Sequence, residues 1–345
     1  MNSLERVSLI LQHKEADRVP YYPLLNSVAS KLIGATYDQL AKDADICAKA
    51  YIAITEKYDL DVICTLTDLS VEAADFGAEI IYDENEAAYP HPTNRFIKSA
   101  EEYNKIKPID VRKGERMMTH VKLCNLLMEA KGSEKPVVAF AFGPLGILSM
   151  LRGQEDIFMD LILEPKAVHT ALETITENLI QYYDLIMETG VHAIMFDTLF
   201  ASQSILSKEM WDEFEGPYIE KLAKHIHSKG VMVMIHNCGN GVYFDVQIKR
   251  MQPEAISFLH VPADCKDFSE CKEKYGHLTT LIGCIDPSLL ITGTDKAIIQ
   301  ATKRDIDLFK KDGGFILSTG CEYPSALNFD KADIIIKTAK EYGKY

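Results

Sequence analysis

Short continuous runs of apolar residues recur along the chain, each followed by a longer stretch with apolar positions three and four apart. The runs are Val19–Tyr22, Asp61–Thr65, Pro136–Phe142, His192–Phe196, Val231–Ile235, Ala255–Leu259, Leu278–Ile282 and Gly314–Ser318. They do not alternate apolar with polar. Strands of a parallel sheet read this way, because helices cover both of their faces. Stretches with helical period lie between most of the runs: Asp43–Lys57, Glu115–Lys131, Pro165–Thr189, Lys208–Lys229, Lys266–Lys274, Asp295–Asp312 and Lys331–Tyr342. Gly132, Gly190, Gly230, Gly276 and Gly313 follow several of them. Glycine there closes a helix cheaply in the left-handed conformation.

Eight strand–helix units in 345 residues predict an α/β fold, a (β/α)8 TIM barrel in a single domain over 1–345. Leu4, Val7, Ile10 and Leu11 add an N-terminal helical extension. The alternative is a doubly wound open sheet, and eight similar units favour closure. Phe76–Ser99 departs from the rhythm: Ala78–Tyr82 and Arg95–Ile97 read as a small antiparallel insertion after strand two, and as a candidate lid.

Apolar residues make up 47% of the chain, enough for a large core. The formal net charge of −14 argues against nucleic acid and against an anionic membrane surface as partners. No apolar run reaches the roughly 18 residues a membrane span needs. Met1-Asn2-Ser3-Leu4 runs straight into an amphipathic helix pattern with no signal-peptide layout. A soluble cytoplasmic protein is therefore expected. In a reducing compartment the eight cysteines are core residues, metal ligands or nucleophiles rather than disulfides.

In either α/β fold, chemistry gathers at the carboxyl ends of the strands. Strand five runs out into His236-Asn237-Cys238-Gly239-Asn240-Gly241. In extended chain, side chains two apart share a face, so His236 and Cys238 can face one point. Strand eight runs out into Gly320-Cys321-Glu322, which a closed barrel brings to the same rim. One imidazole and two thiolates favour zinc, and three protein ligands leave a fourth position open. The plain competing reading is that each cysteine is a small buried hydrophobe.

Further phrases extend the pattern. They are Asp17-Arg18-Val19-Pro20, Phe142-Gly143-Pro144-Leu145, Phe196-Asp197-Thr198 and Gly283-Cys284-Ile285-Asp286-Pro287. In order and spacing, these and the two metal phrases resemble the uroporphyrinogen decarboxylase superfamily, in its corrinoid methyltransferase branch. The resemblance covers most of the chain. It implies zinc held by His236, Cys238 and Cys321, and a corrinoid carried by a separate partner protein. It also implies methyl transfer between that corrinoid and a small molecule, such as a thiol of the coenzyme M type. The reverse reaction, demethylation of a methoxylated or other methylated substrate onto cob(I)alamin, is the alternative. Decarboxylase activity fits less well: where the decarboxylases carry an arginine-rich motif, this chain reads Tyr21-Tyr22-Pro23-Leu24-Leu25-Asn26.

Four more residues are substrate-binding candidates at strand ends: Asn26, Asp197, His260 and Cys284. Each has a plainer role open to it. Asp197 could cap a helix, His260 could be an ordinary rim histidine, and Cys284 could be a buried thiol. His260 and Cys284 are also considered as a fourth metal ligand. Asp286 before Pro287 reads as a helix cap. His225 and His227 lie two apart on a helix and cannot face one ion. Gly143-Pro144-Leu145-Gly146 lacks the lysine of a phosphate loop.

Overall fold

The computed structural model describes residues 1–345. Nine strands form in chain order: β1 Ile63–Cys64, β2 Ile80–Ile81, β3 Tyr89–Pro90, β4 Val137–Phe142, β5 Ala193–Asp197, β6 Met232–Asn237, β7 Ala255–Phe258, β8 Thr280–Ile285 and β9 Phe315–Thr319. Seven of them make one parallel sheet in the order β1-β4-β5-β6-β7-β8-β9. Helices separate successive strands, and the architecture is α/β and TIM-barrel-like. β2 and β3 pair antiparallel apart from it.

Both faces of the large sheet are buried, which is why its strands read as unbroken apolar runs. One face carries Val138 and Phe140, Ala193 and Met195, Met234, Ala255, Ile282 and Ile316, packed together as one core. Val7 and Ile10 of the first helix, Ser3–Leu11, join this core. The intervening residues, Ala139, Ile194, Ile235, Ile256 and Leu317 among them, pack under the surrounding helices in a second, larger core. The first helix is set by a reciprocal cap: the Asn2 side chain accepts from Glu5 N, and Glu5 accepts from Asn2 N.

The expected first strand is only partly realised. Val19–Tyr22 makes a single parallel bridge, Tyr21 with Leu317. Leu317 N donates to Pro20 O, Tyr22 N to Leu317 O and, on the other side, Asp61 N to Tyr21 O. Pro20 within the segment and Pro23 just after it have no N–H to extend a ladder. The segment nonetheless links β9 to the residues leading into β1, so the two edges of the sheet approach one another.

That junction rests on one carboxylate. Asp61 is fully buried. It accepts from Arg6 Nη1 at 2.8 Å, Arg18 Nη1 at 2.6 Å, Ser3 Oγ at 3.0 Å and Tyr21 N at 2.9 Å. Arg6 also grips Asp17 through two bonds of 2.6 and 2.8 Å. The Asp17-Arg18-Val19-Pro20 phrase is therefore structural.

Other expectations shift locally. Asp61–Thr65 contracts to two strand residues, and Leu278–Ile282 becomes Thr280–Ile285, because Leu278 and Thr279 still close the preceding helix onto Tyr275 O. Lys208–Lys229 is two helices, Lys208–Phe214 and Gly216–Ser228. Pro217 fits the first turn of the second and would break a continuous one. Gly190, Gly230 and Gly313 take positive φ, but Gly132 and Gly276 end their helices in right-handed geometry. The insertion after the second expected strand is present, but its antiparallel partner is Tyr89–Pro90 rather than Arg95–Ile97. Ile97 N instead donates to Leu151 O. No helix is long and apolar enough to cross a membrane.

Removing the Asp61 carboxylate takes one of two ionic partners from the buried Arg6 and breaks the ion pair of the half-buried Arg18. Asp61→Ala should cost about 3–5 kcal/mol in urea unfolding. Asp17→Ala, whose own side chain is 44% exposed, should cost about 1 kcal/mol or less.

Candidate metal centre

Strand register builds the site. On β5 and β6, Asp197 lies opposite His236, and on β6 and β7, His236 lies opposite Ser257. Two residues before them in their strands, Met195 and Met234 belong to the inner core, so Asp197 and His236 continue that face to the carboxyl ends. His236 is buried, and its Nδ1 is 3.0 Å from Ser257 Oγ. The other ring nitrogen is left to face the thiols.

Cys238 lies just beyond the end of β6, and Cys321 two residues beyond β9. Close backbone approach delivers each. A Cβ on Gly320 would sit 2.7 Å from Leu259 Cα, and one on Gly239 would sit 2.5 Å from Ser202 Oγ. Only glycine lets the Cys321 loop cross the end of β7 and the Cys238 turn pack on the loop after β5. The donor atoms of His236, Cys238 and Cys321 all lie within 4.8 Å of one another.

This set fits zinc. At Zn–S distances near 2.3 Å, tetrahedral donors stand about 3.8 Å apart, so small side-chain adjustments complete the geometry. The electrostatics agree. The Cys238 thiol and the imidazole beside it draw the Cys321 thiol well below its usual range. Cys238 is driven up, because it donates to that thiolate and is largely shielded from water. Two thiols sharing one proton are poised to give it up to a dication.

Two carboxylates adjoin the cluster. Burial pushes Asp197 up to about 6, while His236 opposes that shift; its Oδ1 accepts from Leu199 N at 3.0 Å. Glu322 accepts from Ser27 N at 2.8 Å and from the Ser27 hydroxyl. Burial raises its pKa as well, against the pull of Ser27.

The remaining candidates are placed differently. Asn26 is buried and spends its amide on Cys64 O at 2.7 Å, tying the segment after Val19–Tyr22 to β1. His260 is half-exposed and stands outside the three-donor group. Cys284 is also outside it, in the core between sheet and helices, where it interacts with Asp305. Asp286 caps its helix through Ser288 N. Sequence reasoning missed Ser257, whose signal was a lone hydroxyl in an apolar strand. It also missed the buried Glu215, which accepts from Trp211 Nε1 at 2.7 Å and Leu145 N at 3.3 Å. A Cβ on Gly143 would sit 2.1 Å from Glu215 Oε1, so that glycine keeps room for a buried carboxylate.

The uroporphyrinogen decarboxylase family model matches residues 2–342. The chain belongs to the uroporphyrinogen decarboxylase family. Within the family it is similar to the methylcobamide:CoM methyltransferase MtbA of Methanosarcina mazei, at 24% identity over 98% of this chain and 97% of that one. It is also similar to the uroporphyrinogen decarboxylase of Shewanella halifaxensis, at 21% identity over 91% and 88%. A solved methyltransferase structure from Methanosarcina mazei superposes with a TM-score of 0.82, at 21% identity and 99% coverage of both chains. That likeness establishes the shared fold.

Two substitutions test the centre. Cys321→Ala should leave the fold intact and abolish stoichiometric zinc in metal analysis after dialysis. Ser257→Ala removes the partner that orients His236 and should weaken zinc about 10- to 100-fold in chelator competition.

Proposed function

We propose that this family member is a zinc-dependent methyltransferase, moving a methyl group between a corrinoid protein and a small acceptor thiol. The observation that carries the reading is the soft three-donor set at the strand ends. The chain that holds it is similar along nearly its whole length to methylcobamide:CoM methyltransferases. In this reading Val19–Tyr22 is the eighth stave of a closed (β/α)8 ring, and the protein works in the cytoplasm.

His236, Cys238 and Cys321 would hold the zinc, with one tetrahedral position left for substrate. Bound there, zinc would keep an acceptor thiol ionised near neutral pH and its sulfur nucleophilic. The protein's own residues supply orientation. Ser257 fixes the His236 ring, and Phe140 packs beneath it with ring centroids 6.2 Å apart. The apolar side chains below exclude water from that side. Asp197 stands beside His236, where its carboxylate can accept a hydrogen bond from substrate. Displacement at the methyl carbon demands in-line approach, so a rigid site matters more here than proton transfer. The chain has no Asp-x-His-x-x-Gly motif of its own, so the corrinoid would arrive on a partner protein.

Thiolate-rich ligation damps zinc's Lewis acidity, which favours thiol activation over attack on a methoxylated substrate. Decarboxylation of a polycarboxylate is disfavoured by the arginine near the start: Arg18 is committed to Asp61. The test is zinc analysis combined with methyl transfer from methylcobalamin to a panel of small thiols. One zinc per chain and formation of a methyl thioether are expected. Metal-free protein that decarboxylates uroporphyrinogen would overturn the assignment.

A further inference from the structure

His236 and Cys238 are two residues apart, and continuous strand would set their Cα atoms about 6.6 Å apart along the chain. Their donor atoms lie within 4.8 Å of each other, as side chains on one face can. The strand stops at Asn237, so Cys238 lies just beyond the sheet ladder. The bend that begins at Gly239 must be held in place for the Cys238 thiol to stay aimed at His236.

The side chain of Asn237 does this. It is fully buried and both ends are occupied. Its Oδ1 accepts from Gly239 N at 2.9 Å, an Asx turn that folds the backbone around Cys238. Its Nδ2 donates to Thr198 O at 2.6 Å, on the neighbouring loop after β5. Thr198 N in turn donates to His236 O at 3.0 Å, and the Thr198 hydroxyl is paired with the buried Gln247. The turn therefore hangs from an anchored neighbour. Gly239 packs against Ser202 too closely for any larger residue, which seats the far end of the turn on the same loop.

We infer that Asn237 is a positioning residue, whose side chain holds the turn around Cys238 so that the thiol stays aimed at the His236 donor before any metal arrives. The inference rests on the metal centre proposed above. It adds a role for the residue between the two ligands, which touches neither metal nor substrate. Prearranging the Cys238 thiol spares the site the ordering of a flexible turn on binding.

The experiment uses full-length protein, with cobalt(II) as an optical reporter and zinc affinity by chelator competition. Thiolate-to-cobalt absorbance counts the thiolates bound. Asn237→Ala should keep the thermal transition of the metal-free protein within a few degrees. Its thiolate-to-cobalt intensity should fall to about half of wild type, and its zinc Kd should rise about 10-fold or more. Asn237→Ser retains a hydroxyl that can accept from Gly239 N, and should recover most of the two-thiolate intensity. Wild-type intensity and affinity in Asn237→Ala would overturn the inference. If Asn237→Ala does not fold, Asn237→Ser decides: loss of the second thiolate there would overturn it, and retention supports it. Wild-type protein that binds neither metal would instead sink the metal assignment itself, so the two failures are distinguishable.

Discussion

Everything at this centre depends on two segments more than eighty residues apart in sequence delivering soft donors to one point. His236 and Cys238 leave one strand, Cys321 leaves another, and all three donor atoms fall within 4.8 Å. Parallel pairing in fixed register makes that possible. A slip of one residue between β5 and β6 or between β6 and β7 would turn His236 from the inner face into the helix layer. The packed inner core of Phe140, Met195, Met234 and Ile282 holds the register, because each of these side chains would be displaced by the same slip. The meeting of the three donors is thus a consequence of how tightly the sheet is specified.

The lower end of the sheet contributes at a distance. Asp61 binds the first helix, the Pro20 segment and the entry to β1 into one buried ionic cluster. Without it the two edges of the sheet lose the link through Tyr21, and β9, which leads to Cys321, loses a neighbour on one side. Stability at one end and ligand placement at the other are therefore coupled through strands a few residues long. Closely fitted glycines at the rim extend the same logic: Gly320 and Gly239 allow backbone contacts that no side chain would permit.

Much of this was legible in the residues. Unbroken apolar runs announce a sheet covered on both faces, and the strand-end phrases mark where reactive side chains emerge. What stayed hidden follows from tertiary context. Val19–Tyr22 reads as a strand, yet two prolines reduce it to a bridge whose partners are residues near 61 and 317. Cys284 ends an apolar run as promisingly as Cys238 does, but the local path of the chain sends it toward Asp305 and away from the inner face. His260 likewise sits at a strand end without joining the cluster. Ser257 and Asn237 matter through the neighbours they bond across strands, and composition carries no trace of that pairing. The alternation that puts His236 and Cys238 on one face is visible in the residues, but the turn around Cys238 that Asn237 holds is not.

Zinc-edge X-ray absorption of the purified protein tests the central claim most directly. The account predicts one nitrogen at about 2.0–2.1 Å and two sulfurs near 2.3 Å in the resting protein, with a third sulfur appearing when a small thiol is added. A zinc shell without sulfur, or a sulfur count unmoved by any thiol, would contradict it.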